Sequence, residues 1–127
     1  MEILTHQKIN PQLCGKPIEL RENYCLIELS TIEDMVVDDF GLVHGGFVFG
    51  AADYAAMLAV NDPNVVLGAA EVKFIKPVKL NDTILAQAEV TDAQGKKRLV
   101  NVSCSVNNEE VFKGTLTCFV LPKHVLD

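Results

Sequence analysis

The chain has three serines, three histidines and four cysteines, and none of them falls into a pattern that carries chemistry by itself. Ser30, Ser103 and Ser105 lie in or beside segments that read as strands. No Gly-x-Ser-x-Gly elbow is present, which removes the usual serine-hydrolase arrangement. His6, His44 and His124 have no metal-ligand spacing with Cys14, Cys25, Cys104 and Cys118, so no metal site is expected. The cysteines form no CxxC pair, and thiols scattered in this way read as reduced and mostly buried. A P-loop and a dinucleotide fingerprint are both missing.

Basic residues are also few. Eleven Lys and Arg against 17 Asp and Glu leave a net charge of −6, which argues against a nucleic-acid partner. The opening stretch "MEILTHQKIN" has neither a basic n-region nor an apolar h-region, so no export signal is read and a cytoplasmic setting is expected. One long run, Gly41 to Val60, is apolar enough to test as a membrane span, and Gly46 and Gly50 form a GxxxG match. Three glycines near its start, a central Asp and the lack of flanking Lys or Arg weigh against insertion. A helix apolar all round is more simply one buried in a core, and no membrane partner is expected.

What is present suits one ordinary domain: 127 residues, 49% hydrophobic and 22% charged, enough to bury a single core. The C-terminal half alternates. Ile84, Ala86, Ala88 and Val90 share one parity; Val100, Val102, Cys104 and Val106 repeat it, as do Phe112, Leu116, Cys118 and Val120. Such period-2 patterns predict half-buried strands. The breaks at Asn81-Asp82, at "DAQG" (92–95) and at "NNEE" (107–110) are turn-like, which predicts antiparallel neighbours. "VVLGAAEVKFIKPV" reads as another strand, with Pro77 marking an edge, a bulge or a terminus, and "NYCLIEL" (23–29) as a further one. Between them, Gly45 to Val60 is rich in Ala, Leu and Met and too long for a strand, so a four-turn helix is expected. One sheet can hide one helix only by curling around it. The expected class is α+β in a single domain over 1–127. The first 20 residues, with the loop-like "HQKINPQLCGKP", are left without a firm assignment.

A lone acid stands out. Between Phe40 and Asn61, Asp53 is the only formally charged residue, and a carboxylate in such a run is costly to bury unless something pairs with it or uses it. "VHGGFVFGAAD" resembles the motif of hotdog-fold acyl-CoA thioesterases, in which His-Gly-Gly opens the central helix and an acid follows nine positions after the His. "VKFIKPVKLND" resembles the strand that follows that helix. The resemblance implies a curved antiparallel sheet wrapped around one long buried helix, an acyl-CoA ligand whose CoA is part of the substrate rather than a separate cofactor, and an obligate homodimer, often a dimer of dimers. It places His44, Gly45, Gly46 and Asp53 at the catalytic centre.

Elementary physics supports that placement. A helix N-terminus carries unpaired N–H groups and the positive end of the dipole, suited to a developing oxyanion. The N–H of Gly45 or Gly46 would polarise a thioester carbonyl, and Asp53 would serve as nucleophile or as the base that activates water. Eight residues of helix separate Gly45 from Asp53, about 12 Å along the axis, so one thioester carbon cannot touch both within one chain. Two antiparallel copies of the helix across a two-fold axis would bring them together. Asp53 could instead be a structural carboxylate, and the helix glycines could serve packing alone.

Phe47, Phe49, Tyr54 and Met57 are expected to set pocket depth. "GKKR" (95–98) reads as a solvated hairpin end or, functionally, as a contact from Lys97 and Arg98 to the CoA phosphates. The resemblance also has gaps. Asp38 stands where related thioesterases often carry Asn, and Met57 and Leu67 stand where a Ser or Thr would hold the water. Finally, "RLVNVSCSVNNEEVFKGTLTCFVL" resembles the C-terminal strands of the ligand domain of a malonyl-CoA-sensing repressor of lipid synthesis, which binds acyl-CoA without cleaving it. That leaves two functional readings, hydrolase and receptor.

Overall fold

The alternating segments are strands, and the apolar run between them is a helix, in the computed structural model, which describes residues 1–127. A short helix α1 (Pro11–Cys14) leads into β1 (Lys16–Arg21) and β2 (Tyr24–Ser30). Helix α2 (Gly45–Val60) follows, and then β3 (Val65–Phe74), β4 (Thr83–Gln94), β5 (Lys97–Val106) and β6 (Glu109–Val120). The six strands form one sheet in the order β1-β2-β4-β5-β6-β3, with every neighbouring pair antiparallel.

Two of the three expected turns close hairpins. Asn107 and Asn108 join β5 to β6 with φ of 51° and 66°, the left-handed pair that a two-residue turn between twisted strands requires. The β4–β5 turn is tighter than "DAQG" suggested, because β4 runs on through Gln94 and only Gly95 and Lys96 lie between the strands. The third break needs correction. Asn81-Asp82 does not join neighbours: β3 pairs with β6, three positions from β4. Helix α2 carries the chain across the sheet from β2 to the far edge, and residues 75–82 must cross back, roughly 14 Å at the usual strand spacing. Pro77 lies in that crossing, just beyond the end of β3.

The N-terminal stretch is also more ordered than expected. Pro11 takes the first position of α1, where its missing N–H costs nothing, and the Asn10 side chain accepts the Gln12 N–H at 2.9 Å. Pro17 sits in the edge strand β1 beside a register shift, a place where a ladder tolerates proline. No residue of β1 is buried, so it lacks the alternation that reveals a strand in sequence. Residues before α1 strap the far end of α2. Asn61, left-handed at φ 52°, caps that helix; its side chain accepts the Leu4 N–H at 2.9 Å and donates to Glu2 O at 2.8 Å.

The core holds the expected parity. Ile84, Ala86, Ala88, Val100, Cys104, Phe112, Leu116 and Cys118 are fully buried against α2. Five alanines of α2, from Ala51 to Ala59, are equally buried and let the helix lie close to the sheet. No helix is long and apolar enough to cross a membrane.

Candidate active site

The start of α2 is held by three segments. The His44 N–H donates to Met35 O and the Val43 N–H to Val78 O, each at 2.9 Å. Asp38 Oδ1 accepts the N–H groups of Phe40 at 2.9 Å and Leu42 at 3.1 Å, closing the turn that precedes the helix. Asp38 therefore acts here on its own loop. His44 becomes the N-cap, and its Nδ1 accepts the Gly46 N–H at 2.8 Å. A side-chain acceptor at this position satisfies one orphan donor of the helix, and it leaves any proton of the neutral ring on Nε2.

The two glycines therefore differ. Gly46 has given its N–H to His44, whereas the Gly45 N–H has no acceptor in the chain. Gly45 also lies under Phe74: a Cβ built on it would come within 3.1 Å of Phe74 Cε2. The same glycine lines a cavity of about 330 Å³ together with Leu42, Val48, Phe74, Ile75 and Pro77 among others. A larger hollow of about 890 Å³, lined by Glu71, Lys73, Asn101 and Lys113, touches neither Gly45 nor Asp53.

Asp53 lies two turns further along. Its Oδ1 is buried with no hydrogen-bond partner. Burial raises its carboxyl from the usual 3.8 to about 6. Two thiols feel its charge: burial first and then Asp53 raise Cys14, at the end of α1, and the same causes push Cys118 of β6 up to about 12. Gly46, Gly50 and Asp53 follow one another at helical spacing on one face. A Cβ added at Gly50 would meet nothing within 4 Å, so that face is open there, whereas the His44 ring covers Gly46.

The remaining expected site residues divide. Phe47 is half-buried and edge-on to His44 at 6.3 Å, and Phe49 is half-buried against Phe112 at 6.2 Å. Tyr54 and Met57 line neither of these two cavities. At 5% and 1% exposure they are core residues, because α2 turns most of its last ten residues inward. Leu67 is half-buried opposite Cys118, on the strand beside Asp53's surroundings. Lys97 and Arg98 pair with Phe119 and Cys118, toward the Val65 end of β3, whereas Gly45 sits at its Phe74 end. Nine steps of strand, roughly 30 Å, separate those two ends. Within one chain the hairpin and the free Gly45 N–H are not brought together. The Arg98 guanidinium instead donates to its own turn, at Gly95 O (2.7 Å) and Lys97 O (3.0 Å).

Phe74 and Ile75 were not singled out from sequence. A signal existed: two large apolar residues in succession at a strand end cannot both face one core.

A family model for the thioesterase superfamily matches residues 40–111. A methylthioribose-1-phosphate isomerase of Aquifex aeolicus is 54% identical over 114 residues, covering 90% of this chain and 25% of that protein. The transcription factor FapR of Caldanaerobacter subterraneus is 33% identical over 94 residues, covering 74% of this chain and 47% of that one. The chain thus spans between a quarter and about half the length of these curated relatives. An uncharacterised protein of Pyrococcus horikoshii, solved by crystallography, is 54% identical with a TM-score of 0.98, covering 100% of this chain and 98% of the other. At 19% identity and a TM-score of 0.77, over 86% of this chain and 87% of the other, a hypothetical thioesterase of Streptococcus pneumoniae crystallised with coenzyme A shares the fold. So does a Streptococcus mutans protein bound to acetyl-CoA, at 21% identity, a TM-score of 0.82, and 93% and 97% coverage.

Proposed function

The chain belongs to the thioesterase superfamily, and from that premise we propose that it hydrolyses an acyl-CoA thioester at a centre shared by two copies of itself. The observation that carries the reading is Asp53, a carboxyl with a buried oxygen that has no donor, raised to about 6, at a helix whose first N–H is also free. A general base works best with a pKa near the operating pH, and one that is committed to no structural partner is available to a water.

In the proposed reaction the thioester carbonyl oxygen lies at the Gly45 N–H of one protomer. Asp53 of the partner takes a proton from water, whose oxygen bonds to the carbonyl carbon. The C–S bond then breaks, and the departing thiolate recovers the proton from Asp53, leaving free acid and coenzyme A. The Gly45 N–H and the helix dipole stabilise the charge that develops on the carbonyl oxygen.

Two features support the sharing. The separation of Gly45 and Asp53, about 12 Å along one helix, favours a centre drawn from two chains over one within a single chain. The sheet also ends on β3, a ten-residue edge strand free on one side, and a second copy extending such an edge would place two α2 helices side by side. Thiol release from acyl-CoAs by the wild-type protein and by Asp53→Ala tests the proposal. Wild-type turnover in a folded Asp53→Ala protein would overturn it.

A second reading is favoured by the FapR match over 74% of the chain and by Met57 and Leu67, neither of which can hold a water. It is an acyl-CoA receptor without turnover. Saturable binding with no thiol released over hours would select it.

A further inference from the structure

The cavity beside Gly45 has properties that bear on which acyl group is taken. At about 330 Å³ it lies at the small end of ligand pockets. Phe74 forms one wall: it rests on the Gly45 backbone and packs edge-on against buried Phe112 at 5.0 Å, which in turn meets Phe49. Phe112 is fully buried, so the Phe74 ring cannot retreat inward although 57% of the residue is exposed. The backbone fixes it too. The N–H groups of Ile75 and Lys76 both donate to Val111 O, at 2.8 and 3.2 Å, which kinks the chain at the end of β3 and turns Phe74 and Ile75 toward the same cavity. The one charged lining residue, Lys76, is ion-paired with Glu109.

We infer that Phe74 is a specificity-determining residue, and that the cavity it walls takes a compact, uncharged acyl group whose thioester carbonyl is held at the Gly45 N–H. This rests on the reading of the site as one for acyl-CoA. A long chain meets the Phe74 ring, and the one cation on the lining is engaged by Glu109, so an acyl group ending in a carboxylate, such as malonyl, has to compete with that pair. In a hydrophobic pocket each methylene too many or too few changes selectivity by roughly tenfold or more.

The test uses the full chain with acetyl-, butyryl-, hexanoyl-, decanoyl- and malonyl-CoA, measuring thiol release for wild type, Phe74→Ala and Phe74→Trp. Thermal melting confirms that each variant is folded. The wild type is expected to favour the short neutral esters over decanoyl and malonyl by about tenfold or more in kcat/KM. Phe74→Ala should move the optimum toward longer chains and Phe74→Trp toward acetyl. An unchanged length profile in both folded variants, or a wild-type preference for malonyl-CoA, would overturn the inference.

If the wild type cleaves none of the esters, hydrolysis itself fails and the same series is read as Kd by calorimetry. A length profile that shifts with residue 74 then sustains the cavity assignment, and a flat or unshifted one removes it. If no ester binds, the acyl-CoA reading falls and the inference with it.

Discussion

The two halves of α2 are built differently. From Ala51 to Ala59 only Asp53 escapes burial, and the far end is strapped by residues 2–4 through Asn61. From Gly45 to Gly50 only Val48 is buried, three of six residues are glycine, and the Gly45 N–H is unmet. The alanine half holds the sheet and the glycine half leaves backbone exposed. Asp53 stands just past the join, where it incurs the desolvation of the packed half without a partner from it. A residue kept at that cost is the one to break first.

Replacing Asp53 should separate activity from stability more sharply than any other change. Loss of a general base lowers kcat by about 10²–10⁴, so Asp53→Asn should abolish nearly all thiol release. Its effect on folding has the opposite sign. The folded carboxyl titrates near 6 instead of 3.8, so the wild type is stabilised by a protonated Asp53 at low pH and loses that contribution as pH rises through about 6. Asparagine carries no charge to desolvate. Asp53→Asn should therefore melt at the wild-type temperature below the ordinary carboxyl range and several degrees higher at neutral pH, a gain of order 1–3 kcal/mol. Melting curves across pH check this. A variant that melts lower at neutral pH would make Asp53 a structural carboxylate.

The glycine half is tested by removing its free donor. Proline is tolerated at the first position of a helix and has no N–H, so Gly45→Pro should fold and still lose about 10²–10³ in kcat. Phe74 must shift slightly, since a Cβ at Gly45 would lie 3.1 Å from its ring. Mixing this variant with Asp53→Ala sharpens the comparison. If each centre draws Gly45 from one chain and Asp53 from the other, a mixed dimer regains one intact site. With random pairing, roughly a quarter of wild-type activity returns to two inactive proteins. No recovery after co-expression would confine the site to one chain.

Sequence made the parity of β4, β5 and β6 legible because one face of each strand is dry, and period-2 alternation records that directly. The helix was legible from its composition. Its capping by His44 was not, because capping is a local hydrogen bond that no apolar pattern registers. The place of β3 beyond β6 was hidden for a different reason: a turn-like Asn-Asp ends a crossing as readily as a hairpin. The burial of Tyr54 and Met57 was hidden because a helix that is apolar all round does not say which side meets the sheet. Asp53 was conspicuous as the one charge in twenty residues, yet its lack of any donor is visible only in three dimensions.

His44 offers a smaller test on the same half. His44→Ala frees the Gly46 N–H and should lower stability by about 1 kcal/mol, the usual worth of a cap, read as a fall of a few degrees in Tm. The smallest effect belongs to Arg98. Its guanidinium closes its own turn, and the hairpin lies toward the opposite end of β3 from Gly45. Exposed contacts of that kind contribute little, so Arg98→Ala should change Tm by a degree or two and leave KM for an acyl-CoA within about twofold. Two-fold symmetry is what could change that expectation, because it can carry a remote hairpin of one chain to the site of the other. A tenfold rise in KM with kcat unchanged would mean that ground-state binding was lost. It would place the CoA phosphates on the partner's hairpin, joining the far end of the sheet to the exposed half of the helix.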